Sequence, residues 1–268
     1  DSENLLKFKT RLENAMTAAQ TWFNANSLKM NSSKTDFILL GTQSSLNKIP
    51  DFKFDFCDRS FTASNGVKIL GVTVDQTLSW DKHITELLRK CYSILCSLNK
   101  FRRHFSTEAL VAIIQAHVFS QILYCLPVWG GACQNQLKRV QKMINFAARI
   151  VTGANRREHI SPYLKSLKWP KIEEIIEERD SLKVHRALTN PDAPATLRNM
   201  FIQRSDIATR ETRLTNTNRL HLPKVRLSAT QRSFPYRAAS TWNRLPTATT
   251  SVASGKELKK RLQKRKRN

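Results

Sequence analysis

Apolar positions along the chain keep mixed rhythms up to about residue 80 and a helical one after it. Leu5, Phe8, Leu12, Ala15, Ala19 and Phe23 recur at helical spacing, with Lys7, Lys9, Arg11 and Glu13 mostly off that line, so Leu5–Phe23 is predicted as an amphipathic helix. Asn24–Ser33 is rich in Asn and Ser and reads as a turn. Thr35–Gly41 is an apolar run of strand length ended by a glycine. Within Ile49–Phe61, Phe52, Phe54 and Phe56 alternate as on a half-buried strand. Ser64-Asn65-Gly66 then signals a turn. Val67, Ile69, Val72 and Val74 crowd around Leu70 and Gly71, which is strand composition with a glycine where a turn belongs. A short hairpin is expected there.

From Asp81, which offers an N-cap, Ile84, Leu87, Leu88, Cys91, Leu95 and Leu98 follow at three- and four-residue spacing. Thr107–Leu126 is apolar nearly all round and is expected to be the central, buried helix, stopped by Pro127. Leu137, Val140, Ile144, Ala147 and Val151 mark another helix, with Lys138, Arg139, Lys142 and Arg149 on other faces and Gly153 as its C-cap. Pro170 opens a helix whose first turns carry Glu173, Glu174, Glu177 and Glu178, suited to the positive end of its dipole. After Thr189 the pattern loosens. Thr209–Asn218 reads as linker, and Leu220–Leu227, interrupted by Pro223, as at best an edge strand. Ser233–Pro246 is a compact aromatic and basic cluster, and Lys256–Asn268 a basic tail expected to be disordered. The fold class is α+β: a small α/β region over 1–80, a helical bundle over 81–189, a basic, partly irregular segment over 190–254 and the tail over 255–268.

Charge sharpens this picture. The 268 residues carry a net charge of +24, which reads as a partner with a phosphate backbone, or less often an anionic membrane surface. From Asn190 to Asn268 there are 18 Lys and Arg against 4 Asp and Glu, so +14 of the total lies in under a third of the chain. No run of eighteen apolar residues exists. Ala109–Leu126 comes closest, interrupted by Gln115, His117, Ser120 and Gln121, and no membrane partner is expected. Cys57, Cys91, Cys96, Cys125 and Cys133 form no even framework and no Cys-x2-Cys pair, so reduced thiols, mostly in the core, are expected.

Catalytic patterns are mostly lacking. There is no Asp-Asp pair, no G-x-S-x-G, no phosphate-binding loop and no H-x-x-x-H, and the six histidines are scattered. Two-metal phosphoryl transfer needs clustered carboxylates. Basic faces interleaved with aromatics are present instead. Lys100, Arg102 and Arg103 end the first long helix beside Phe101 and Phe105, and Arg149, Arg156 and Arg157 end the third. Arg232, Arg237 and Arg244 cluster with Phe234, Tyr236 and Trp242. Such cations grip phosphates without reading sequence, and aromatics stack on unpaired bases. For any single aromatic the core is the better-supported reading, so the functional reading rests on total charge.

Three segments carry a family resemblance. Trp22–Gly41 (WFNANSLKMNSSKTDFILLG) resembles the last palm motif of non-LTR (LINE-type) retrotransposon reverse transcriptases, W-x3-N-x-L-x2-N-x2-K-T, through Trp22, Asn26, Leu28, Asn31, Lys34 and Thr35. Val67–Ile84 resembles the primer-grip hairpin, with Leu70 and Gly71 as its central pair. The helical stretch is similar to the thumb, and Arg232–Pro246 to the aromatic segment near the C-terminus of many such elements. The resemblance implies the end of a palm over 1–80, a thumb over 81–189 and a C-terminal segment beyond. It implies that Lys34 lies near the incoming triphosphate, contacting it or acting as a general acid. Leu70 and Gly71 would let the primer 3′ end approach the backbone, and the thumb cations would hold an RNA template–DNA primer duplex. The family's metal-binding aspartates lie upstream of the motifs found here. The implied protein is therefore a fragment of an RNA-directed DNA polymerase that binds template–primer and does not polymerise alone. Mg2+ is the cofactor of the complete enzyme, with no cofactor in the fragment. Its partners are template, primer and the upstream palm and fingers of the same polyprotein, and its setting the nucleus and cytoplasm. The alternative is a non-catalytic, basic nucleic-acid-binding protein derived from a retroelement, its tail serving nuclear import or RNA binding.

Overall fold

The computed structural model describes residues 2–31, 34–49, 52–56, 59–207 and 218–265. The chain divides into two compact units, 1–83 and 84–268. The fold class is α+β: long helices with two small antiparallel sheets.

The first unit is built on helix α1 (Ser2–Ala25), a single turn α2 (Gln43–Leu46) and two hairpins, β1 (Lys53–Phe56) with β2 (Arg59–Thr62) and β3 (Gly66–Ile69) with β4 (Val72–Asp75). The alternating phenylalanines do face inward: Phe52, Phe54 and Phe56 are all buried. Their run is half of a hairpin rather than one strand, and Phe61 from β2 stacks on Phe54 with centroids 5.1 Å apart. Leu5, Leu12 and Met16 of α1 and Phe37 cover this cluster. Thr35–Gly41, expected as a strand, is none. Phe37 turns into the aromatic cluster and the segment makes single backbone bonds, Ser64 N to Phe37 O at 2.7 Å and Gly41 N to Gln76 O at 3.0 Å, instead of a ladder.

The hairpin expected around Leu70 and Gly71 is β3–β4, with Ile69 paired to Val72. Leu70 (φ 46°) and Gly71 (φ 83°) form its two-residue loop. Both are left-handed, as a turn matching the twist of the strands requires. Glycine meets that demand freely, whereas leucine there costs about 1–2 kcal/mol. Leu70 is also 84% exposed. Leu70→Asn is accordingly expected to stabilise the hairpin by about 1 kcal/mol, read as a rise in the thermal midpoint.

Beyond β4, α3 (Asp81–Phe101) leads into the second unit. There follow α4 (Thr107–Ile114), a π turn (Gln115–Phe119), α5 (Ser120–Leu123), α6 (Leu126–Trp129), α7 (Gln134–Thr152), α8 (Ser161–Ser166), α9 (Ile172–Thr189), α10 (Ala195–Arg198), α11 (Ser228–Arg232), α12 (Phe234–Asn243), α13 (Thr247–Thr250) and α14 (Gly255–Arg265). The expected single helix over 107–126 runs through the π turn as far as Leu123 and ends where Tyr124 is extended and Cys125 left-handed (φ 47°); the spacing explains the π turn. Leu110, Ile114, Val118, Ile122 and Leu126, all buried, repeat every four residues. An α-helix of 3.6 residues per turn would swing such a stripe by about 40° at each step, and a wider turn corrects the drift. The Ser120 hydroxyl donates to Ala116 O, and Gln121 Nε2 to His117 O at 2.8 Å.

Nor is that segment the hub of the unit, because Gln115, Ala116, His117 and Ser120 are exposed. The hub is α9, against which α6, α7, α12 and α14 all pack. Its acidic first turns hid this role, since Asp180 and Ser181 behind them are fully buried. Gly153 caps α7 in the left-handed region as expected (φ 74°).

Two expectations for the last third change. Leu220–Leu227 is no strand; it keeps only an isolated bridge between Gln203 and Leu220. The tail expected to be disordered is helical over 255–265, because Leu258 and Leu262, one turn apart, are buried in the core that also holds Trp242 and Val184. Most of the expected linker Thr209–Asn218, and residues 266–268 of the tail, lie outside the described residues. Of the cysteines, Cys91 is buried, its thiol pushed up to about 11 by that burial. Cys96 is exposed, Cys125 and Cys133 are half-buried, none of these four is bonded to another, and Cys57 lies outside the described residues.

Candidate nucleic-acid interface

Helices α3 and α7 run side by side in the same direction. Near their starts Arg139 Nη2 donates to Thr85 Oγ1 at 2.9 Å. Midway the rings of Tyr92 and Phe146 lie 5.9 Å apart. At their ends the Arg102 guanidinium rests over Gly153, where a Cβ would come within 3.4 Å of Nη2. A parallel pair needs a crossover, and α4 to α6 supply it.

At the shared C-terminal end the pair opens into a groove of about 500 Å3. Arg102, Lys142, Arg149 and Arg156 line it, and no carboxylate does. Phe146, Ile150 and Ala154, spaced four apart, form its apolar wall, with Asn99 on the α3 side. Among the described residues the side chains of Arg102, Lys142 and Arg156 have no hydrogen-bonding or ionic partner. Arg149 is partly spent: Nε donates to Asn155 O at 3.2 Å and Nη2 to Glu158 O at 3.0 Å, pinning the loop after Gly153. The Tyr163 hydroxyl and the Asn155 amide donate to Glu158, which holds that carboxyl below the usual carboxylate range. The loop carrying Arg156 is thus tied at both ends.

Cations at helix C-termini have a plain structural use, since each terminus carries about half a negative charge. Two termini account for about one positive charge. Four cations line this groove, so most of its charge is left to attract an anion.

The residues singled out from the sequence do not gather in one place. Arg102, Arg149 and Arg156 line the groove, joined by Lys142, Asn99 and Phe146, which had not been assigned to a site. Lys100, Arg103 and Arg157 are exposed close by in the chain without lining it. Lys142 could have been suspected from Lys138, Lys142 and Arg149 falling on one face of a helix. Phe146 and Asn99 could not, because their position depends on which helix lies beside which.

Arg237 is committed elsewhere. Its Nε and Nη2 clamp Asp180 at 2.7 and 3.1 Å, Nη1 donates to Arg232 O at 2.8 Å, and Nη2 to Pro127 O at 2.9 Å. Burial raises the Asp180 carboxyl, against the pull of Arg237. Arg232 Nε donates to Gly131 O at 3.1 Å. Arg244 is exposed and reaches Glu177 at 3.5 Å. The aromatics of this segment pack inward: Trp242 is buried beside His185, and Phe234 meets Phe201 at 5.8 Å.

In the first unit Lys34 is exposed, and its backbone N donates to Asn31 O at 3.1 Å. Leu70 and Gly71 stand at the hairpin tip. Among the described residues no three His, Cys, Asp or Glu side chains come together, so none of them offers a cage for a magnesium pair. No described helix is long and apolar enough to cross a membrane.

Fold and site define an α+β, strongly cationic protein whose helical unit presents a basic groove. No family profile matches the chain, and no solved structure matches it significantly. Three curated proteins do. The chain is 31% identical over 98 residues to the probable RNA-directed DNA polymerase from transposon X-element of Drosophila melanogaster, a match covering 33% of this chain and 10% of that protein. It is 26% identical over 175 residues to the probable RNA-directed DNA polymerase from transposon BS of the same fly, covering 63% and 19%. It is 26% identical over 141 residues to the RNA-directed DNA polymerase from mobile element jockey of Drosophila funebris, covering 52% and 15%. The matches span no more than a fifth of the length of these relatives. The resemblance read from the motifs is borne out: the chain is related in sequence to RNA-directed DNA polymerases of non-LTR transposable elements.

Proposed function

We propose that this chain is the template–primer-gripping part of a non-LTR reverse transcriptase, the end of its palm and its thumb, and that it does not polymerise by itself. The observation that carries the reading is the groove between α3 and α7, lined by four cations and no carboxylate, in a chain related to such polymerases. Arg102, Lys142, Arg149 and Arg156 neutralise backbone phosphates of an RNA–DNA duplex, with Lys100, Arg103 and Arg157 extending the positive field. In the first unit the Leu70–Gly71 turn meets the primer end, where the bare Gly71 backbone allows close approach. Lys34 contacts the triphosphate once the upstream palm supplies the metal-holding aspartates.

The test is fluorescence anisotropy with a labelled RNA–DNA primer–template. If six or more phosphates are neutralised, affinity falls by about 10³ or more between 50 and 200 mM salt. The double reversal Arg102→Glu with Lys142→Glu is expected to weaken binding by at least about tenfold at low salt, with the circular dichroism spectrum unchanged. Binding that ignores salt, or a reversal without effect, overturns the reading. Primer extension by the isolated chain with Mg2+ is expected to give no incorporation.

A further inference from the structure

The groove is built for more than phosphates. Phosphate contacts need donors and charge, yet the most deeply set wall here is apolar. Ile150 is buried, and Phe146 and Ala154 are half-buried along it. A surface that merely packed α3 on α7 would cover Phe146. Here Phe146 lines the groove while Tyr92 supports its ring at 5.9 Å. Along α7, Lys142 stands four residues before the ring and Arg149 three after it, so cations flank an aromatic face on both sides. Asn99 adds an amide that can both donate and accept. The volume of about 500 Å3 is that of a small-ligand site.

We propose that this groove seats one unpaired nucleotide of a single-stranded segment, its base against Phe146 and its flanking phosphates on Lys142 and the arginines. This rests on the nucleic-acid reading above and adds to it. A paired duplex keeps its bases stacked inside and has nothing to offer an apolar wall, whereas an unpaired base has a face to stack and an edge for Asn99. The contact is sequence-tolerant, since every base has such a face.

The experiment compares the affinity of the full chain for short single strands, ribo and deoxy, with abasic strands of the same length and charge, alongside the RNA–DNA duplex. Base-bearing strands are expected to bind about tenfold more tightly than abasic ones. Phe146→Leu, which stays apolar but loses the ring, should bring that ratio close to one. A 2-aminopurine in the strand should be quenched on binding the wild-type chain and remain bright with the variant. The wild-type comparison stands even if the variant does not fold. Equal affinity for base-bearing and abasic strands, with 2-aminopurine unquenched, overturns this inference and leaves duplex binding intact. No affinity for any nucleic acid overturns both. A higher base-to-abasic ratio for ribo than for deoxy strands identifies RNA as the occupant, and the reverse identifies DNA.

Discussion

Arg237→Ala is expected to destabilise the helical unit by about 3–5 kcal/mol, a large part of a domain's ordinary stability. The reason lies in Asp180. Its side chain is fully buried, and both of its oxygens are held by Arg237, itself only 16% exposed. Removing the guanidinium leaves a carboxylate in the core with no compensating charge, and strands the carbonyls of Pro127 and Arg232 that it also served. Arg237→Lys should recover little, because an ammonium cannot span two carboxylate oxygens and two carbonyls at once. Replacing both partners with apolar residues, Asp180→Leu with Arg237→Met, should cost less than Arg237→Ala alone. Denaturant unfolding of the wild type and these three variants measures each loss. A loss under about 1 kcal/mol for Arg237→Ala would mean that the pair does not hold α12 to α9. The same junction is tight at Gly131, where a Cβ would run into the backbone carbonyl of Arg232.

That arginine shows where reading residues in order stops. In the sequence Arg237 sits among Arg232, Tyr236, Trp242 and Arg244 and looks like part of a basic, aromatic binding face. Its partner is 57 residues earlier, in a run of glutamates that reads as a solvated helix face. Charge alone does not tell a cation facing solvent from one facing a buried acid. Local signals fared better. The β-branched residues around Leu70 and Gly71 gave the hairpin, and the spacing from Ile84 to Leu98 gave α3, because both patterns are set by neighbours in the chain. The π turn was legible in principle, since a strict four-residue stripe does not fit an α-helix over five repeats. The groove was half legible. Its cations end two predicted helices, but that those ends meet follows from packing between segments about 50 residues apart. Helix α14 was missed because two leucines among six cations look negligible until there is a core for them to fill.

Asp75→Ala is expected to cost the first unit about 3 kcal/mol near neutral pH. Asp75 ends β4, and the chain must turn from there into α3 through Gln76–Trp80. Leu78 (φ 53°) and Trp80 (φ 64°) are left-handed, a costly conformation for large side chains. One carboxylate holds the turn: Oδ1 accepts from Thr77 N at 3.2 Å, Thr77 Oγ1 at 2.8 Å and Ser79 N at 2.9 Å, and Oδ2 from Trp80 N at 2.7 Å. Burial raises the Asp75 carboxyl, but the hydrogen bonds from Ser79, Thr77 and Trp80 outweigh it and leave the group below its usual range. A carboxyl lowered in the folded state stabilises it above the unfolded pKa, about 3.9, and that contribution fades as pH falls from there through the folded value. Wild-type stability should therefore drop in this acid window, and Asp75→Asn, which cannot ionise, should be less stable at pH 7 and lack this part of the drop. Urea unfolding at pH 7 and pH 3 separates the two effects. An Asp75→Asn protein with the wild-type acid profile would show that the turn is held by something other than this carboxylate.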